Sequence, residues 1–290
     1  MNSALGEFKE SLDGAAVVVD EIDAKIAGAL ADPRTRALTT YQSCGVVVLL
    51  SGYFEEFLRK LISGYCRELT LRGVPFSALP ETMRHLHYER GGYVLNEIAR
   101  AHKSSGSTFW KLRPLSQLTR QLDSATYPAG SVTELIWESF VEVGENPGGD
   151  TVRFTLKNLG IEKPWPAIEA HASNPAWPTS RFTLVLKDFK EVRNNCAHTG
   201  QVSPVPPTGK LRDFIDMFRV LGAALVSLLS DRVTSMTPIS SLPDLPQARA
   251  ISGRLIGVLA ARSRGEGRAS HITKRSQVAK PWGGGARPLP

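Results

Sequence analysis

Apolar residues recur along this chain at three- and four-residue steps, and nowhere is a period-two alternation sustained. Over residues 3–31, Leu5, Phe8, Leu12, Ala15, Ala16, Val19, Ile22 and Ile26 define one face of a long helix, with Pro33 just beyond its end. A second helix is predicted from about 38 to 71, ending before Gly73-Val74-Pro75. Its stripe is Leu50, Phe54, Phe57, Leu61 and Tyr65, widened by Leu58 and Ile62. Between 73 and 180 the pattern breaks into short helical pieces around 80–86, 92–102, 115–122, 132–143 and 151–159. Gly91-Gly92 and Gly148-Gly149 read as turns, Asp150 as an N-cap, and the proline-rich run 164–178 as an irregular connection.

The next helix spans 180–200. Pro178-Thr179-Ser180 offers a hydroxyl start and Gly200 a stop, and Val185, Phe189, Val192 and Cys196 form its expected buried stripe. Beyond a proline-stiffened loop, 210–233 carries Leu211, Phe214, Phe218, Leu221, Leu225 and Leu228 in an almost heptad-like seam. The fold expected is all-α: four core helices with helical insertions over 1–235. Residues 236–290 read as a Pro/Ser linker and a flexible, disordered tail, with a short helix at 248–261.

Composition changes this picture little. A hydrophobic content of 42% is ordinary for a globular chain. No apolar run approaches the ~20 residues of a membrane span, and acidic residues come early, so neither a membrane segment nor a secretory signal is expected. Cys44, Cys66 and Cys196 lack metal or redox spacing and read as buried thiols of a cytoplasmic protein. The net charge of +7 points to an acidic partner, RNA included. That charge is uneven: after position 248, nine Lys or Arg face Glu266 alone, so the helical part is close to neutral.

Chemistry narrows by elimination. His85-x-His87 has no third ligand at useful spacing, and no H-E-x-x-H, Cys/His box, G-x-S-x-G or P-loop lysine occurs, so no metal and no cofactor is expected. What remains lies at the end of the 180–200 helix. At about 100° per residue from Val185, Arg193 falls near 80°, on the flank of the expected stripe, and Asn194 and His198 near 180° and 220°, opposite it. A histidine there is ordinarily a helix-end charge and an arginine ordinarily solvated. On the second helix, Glu55 pairs in register with Arg59 and Glu56 with Lys60. Measured from Leu50, Glu55 falls near ~140°, bordering the stripe, so it is either a surface partner or a group reaching a groove.

Arg193-Asn194 and His198 spell R-N-x-x-x-H, which resembles the Arg-x4-to-6-His signature of the HEPN (higher eukaryotes and prokaryotes nucleotide-binding) superfamily. The stretch GVVVLLSGYFEEFLRKLI (45–62) resembles an early core helix of HEPN domains of the RiboL-PSP and MAE_28990 type. With KNLGIE (157–162), the similarity covers roughly 10–235. The resemblance implies a HEPN-like helical bundle and a metal-independent endoribonuclease acting as a homodimer, with Arg193 and His198 as site residues; Asn194, on the face of His198, and Glu55, placed to reach a groove, are the residues expected to join them. It also implies a toxin–antitoxin or phage-defence setting with a cognate antitoxin or defence partner. Some HEPN toxins carry a modified tyrosine two residues after the histidine; here Thr199-Gly200 follows His198, so that control is not implied. Two other readings stand beside this one: a catalytically silent HEPN-type module binding RNA or protein, and an unrelated helical regulator with an accidental motif.

Overall fold

A computed structural model describes residues 1–29, 32–103, 135–141, 148–199 and 205–237. The described residues are helical, with no strand among them: α1 (Asn2–Ala29), α2 (Pro33–Leu71), α3 (Glu81–Lys103), α4 (Gly149–Asn158), α5 (Pro164–His171), α6 (Thr179–Thr199) and α7 (Thr208–Met236). Single 3-10 turns stand at Phe76–Ala78 and Trp137–Ser139. The expected piece at 115–122, the tail from 238 and its helix at 248–261 lie outside the described residues.

Four long helices share one core. α1 packs on α2 and α7, α2 on α6 and α7, and α6 on α7. Phenylalanines join them: Phe8 of α1 stacks on Phe57 of α2 at 4.4 Å, and Phe54 of α2 lies 4.7 Å from Phe218 of α7. Phe189 of α6 meets Phe214 and Phe218 edge-on at 5.1 and 4.9 Å. Such ring pairs add about 0.5–1.5 kcal/mol each beyond the area they bury. α1 and α7 approach closely at Gly222, where a Cβ would stand 3.2 Å from the Phe8 ring. Arg212 bonds Asp20 and Asp23, and Arg219 bonds Asp13; these exposed pairs set the register of α7 on α1 more than they stabilise it.

Several boundaries differ from the sequence reading, each for a local reason. α2 begins five residues earlier, because Asp32 caps it by accepting from the amides of Arg34 and Thr35, with Pro33 at the first helical position. The pieces at 80–86 and 92–102 form one helix, α3, that runs through Gly91-Gly92. Met83, His87, Gly91 and Val94 are all buried, so packing along one face carries the helix past two poor helix formers. In 132–143 the described residues hold only the 3-10 turn. Gly148, not Asp150, caps α4, and Asp150 pairs with Arg153 one turn on. Half of 164–178 is the helix α5, begun by Pro164. KNLGIE becomes the end of α4: Gly160 at φ +75° lets its amide reach the Lys157 carbonyl and the Ile161 amide reach that of Leu156, closing the helix.

Candidate functional site

α6 positions the motif. Its N-terminus is capped from another element: the Glu169 carboxylate of α5 accepts from the Thr179 amide at 3.0 Å and from the Thr179 hydroxyl. Those hydrogen bonds hold the Glu169 carboxyl below its ordinary range, so it serves the helix as an anion.

The buried face of α6 is not the one expected. Phe182, Leu186, Phe189 and Cys196 are buried, whereas Val185 and Val192 are only half-buried. Both sets recur at helical period and share Phe189 and Cys196. The structure takes the set with the bulkier Phe182 and Leu186, and Trp177 stacks on Phe182 at 5.4 Å. The consequence falls on Arg193. Spaced four residues after Phe189 and three before Cys196, it sits within the core stripe of α6 rather than on its flank.

Arg193 is half-buried, and its Nε is buried without a hydrogen-bond partner. Its Nη1 donates to Oδ1 of Asn194 over a long 3.5 Å. Asn194 is itself half-buried, and His198 follows one turn later on α6, before the helix ends at Thr199. The helix register thus brings Arg193 and Asn194 into contact and sets His198 on the next turn.

Glu55 is placed elsewhere. The Cys196 and Cys44 thiols adjoin, and Phe189 and Phe54 both touch Phe218, so α6 and α2 run antiparallel. At 1.5 Å per residue, Arg193 lies about 5 Å and Glu55 about 16 Å from that cysteine level, an axial offset of roughly 12 Å. Glu55 instead accepts from Arg59 at 2.6 Å, and Glu56 meets Lys60 at 3.4 Å. Arg59 and Lys60 line a cleft of about 340 Å³ with Glu7, Arg67 and Trp137. Lys60 and Glu7 bond at 2.6 Å, which raises the lysine and lowers the carboxyl from their usual values.

The remaining nucleophiles are quiet. Burial, with the Cys44 thiol beside it, pushes Cys196 up to about 12, and burial raises Cys66 further, helped by nearby Glu138. Both therefore remain thiols at neutral pH. His85 is exposed beside Glu81, whereas His87 is fully buried and accepts from the Ile136 amide at 3.3 Å, so the H-x-H pair diverges. Among the described residues no group of three or more His, Cys, Asp or Glu could hold an ion, and no helix is long and apolar enough to cross a membrane.

Sequence reasoning missed the partial burial of Arg193, because the stripe through Phe182 and Leu186 overlaps the one through Val185 and Val192. It also missed an internal polar layer. Asn158 donates to the Phe140 carbonyl at 3.1 Å, and Arg232 donates to the Gly160 carbonyl at 3.1 Å beside the Tyr65 hydroxyl. No family model matches the chain, and neither a curated protein nor a solved structure matches it.

Proposed function

We propose that the C-terminal turns of α6 form a ribonucleolytic site of HEPN type, cutting RNA by attack of its own 2′-hydroxyl on the adjacent phosphorus. One observation carries the reading: a half-buried arginine stands in line with an otherwise apolar stripe, its Nε buried and unpartnered. A stripe selected for stability alone would hold an apolar residue there, because burying an unsatisfied donor costs about 1–3 kcal/mol. A guanidinium held this way keeps donors for a phosphate and is well matched to its geometry.

In this reading Arg193 stabilises the charge that builds on the phosphorane, and Asn194 holds the guanidinium and the scissile phosphate in place. His198 moves the protons, since an imidazole is suited both to accept from the 2′-hydroxyl and to donate to the leaving 5′-oxygen. No metal enters the scheme. The protein acts as a homodimer, two copies enclosing one RNA backbone, in a toxin or phage-defence setting with an antitoxin or defence partner. Glu55, whose backbone stands roughly 12 Å along the bundle from that of Arg193 and whose carboxylate pairs with Arg59, is not required for the proton transfers of this scheme.

The test is cleavage of RNA in EDTA by the purified protein. Activity should survive the chelator and disappear in Arg193→Ala and in His198→Ala, with both variants folded. Arg193→Lys should recover little, since it keeps the charge and loses the planar fork. RNA binding without cleavage would favour the catalytically silent module instead.

A further inference from the structure

The outer face of α2 is unusually apolar for a helix that already buries its other side. Leu38 is 51% exposed, Tyr41 64%, Val48 40% and Leu49 50%, and Gly45 among them and Gly52 just beyond face open space. These positions recur at three- and four-residue steps, opposite Val46, Val47, Leu50 and Phe54 of the core. Continuous apolar faces of this kind mark association surfaces.

The order of residues along the face identifies the occupant. Arg34 lies eleven residues before Gly45 and Glu56 eleven after it, both within about 20° of Gly45 around the helix. Leu38 and Gly52 are likewise equidistant from Gly45, and Tyr41 and Leu49 are each four residues from it. Turned end over end about Gly45, the stripe complements itself. Arginine meets glutamate, leucine meets the gap left by a glycine, tyrosine meets leucine, and Gly45 meets Gly45, where two backbones can approach closely.

We propose that a second copy of this chain docks here, its α2 antiparallel to the first, with a two-fold axis passing at Gly45. Each copy places Arg34 against Glu56 of its mate at both ends of a contact about 33 Å long. Glu56 also meets Lys60 of its own helix at 3.4 Å, an exposed pair that costs little to rearrange.

This arrangement bears on the site above, a consequence that rests on the ribonuclease reading, whereas the interface does not. A two-fold perpendicular to paired antiparallel helices leaves anything flanking one of them on the same side in both copies. α6 flanks α2 at the level of Cys44, and Arg193 stands within about 3 Å of the height of Gly45. Both motif helices therefore come to one side of the dimer, level with its axis, with the paired α2 helices as the floor between them.

Sedimentation equilibrium of the full chain without RNA tests the interface. The unaltered protein should be a dimer at micromolar concentration, and Leu49→Glu, on an exposed position, should raise the dissociation constant by about 100-fold or more while circular dichroism stays unchanged. Arg34→Glu and Glu56→Arg should each weaken association by about tenfold, and the two together should restore it to within about threefold, since each reversed end then meets its reversed mate. A monomeric protein, a Leu49→Glu dimer, or a double variant as weak as the singles would overturn the proposal. So would a monomer that dimerises only when cut after Thr237, which would assign the stripe to the tail. A dimer that survives Leu49→Glu, or a double variant as weak as the singles, bears on the interface alone, whereas a monomeric protein also removes the homodimer from the ribonuclease reading. A dimer that leaves RNA intact bears on the ribonuclease reading alone.

Discussion

Replacing Arg193 with methionine separates what this residue does for the fold from what it does for function. Methionine nearly matches the arginine stem in volume, carries no charge, and suits a stripe formed by Phe182, Leu186, Phe189 and Cys196. The buried Nε has no partner, and relieving an unsatisfied donor recovers about 1–3 kcal/mol. The hydrogen bond removed with it, Nη1 to Asn194 at 3.5 Å, is too long to offset much of that. Arg193→Met should therefore raise unfolding free energy by about 1–2 kcal/mol. For a chain of this size that is a rise in melting temperature of roughly 2–8 °C. Urea unfolding followed by circular dichroism, with both proteins at one concentration, measures it. RNA cleavage by the same variant should be lost. A loss of more than about 1 kcal/mol would refute the reasoning, since it would make the arginine a structural residue with partners it needs.

Other expectations follow from single features. Gly160→Ala should cost about 2–4 kcal/mol, because φ is +75° there and the new Cβ would lie 2.3 Å from Cβ of Pro80; equal stability by urea titration would count against the helix end described. Hydrogen bonds hold Glu7, Asp23, Asp32 and Glu169 below the ordinary carboxylate range, chiefly from Lys60, Arg212, Thr35 and Thr179 respectively. Groups depressed in the folded state contribute stability that is complete above the unfolded values near ~4 and is lost as pH falls through the folded ones. Melting temperature should thus be level from about pH 7 to 5 and fall below about pH 4; a rise on acidification would contradict those pairings. Phe189→Ala, at the junction of α6 and α7, should cost about 3–5 kcal/mol, in contrast to the gain at Arg193 four residues on.

The long helices were legible because each carries an unbroken stripe, and burial of Leu50, Phe54, Phe57, Leu61 and Tyr65 follows from spacing alone. The face of α6 was not, because two tilings of three and four residues overlap on it. Only packing against α2 and α7 decides between Val185 with Val192 and Phe182 with Leu186. That single choice moves Arg193 from flank to core stripe, so the most informative feature of the candidate site came from packing. The middle of the chain was opaque for another reason. His87 bonds the Ile136 amide and Asn158 the Phe140 carbonyl, partners 49 and 18 residues away, which no local pattern encodes. Helix starts divide in the same way: Asp32 caps α2 through amides two and three residues on, a local signal that a start at 38 passes over, whereas Glu169 reaches Thr179 from another helix.

The most direct test of the central claim is the chemistry of the cut. Purified protein is incubated in EDTA with an RNA oligonucleotide it cleaves, and with the same oligonucleotide carrying a 2′-deoxy sugar at the cleaved position. Attack by the 2′-hydroxyl, with His198 moving the proton and Arg193 holding the phosphorane, leaves a 2′,3′-cyclic phosphate upstream and a 5′-hydroxyl downstream, and the deoxy substrate stays intact. Cleavage of the deoxy substrate, products bearing 5′-phosphates, or undiminished cutting by His198→Ala would contradict the account.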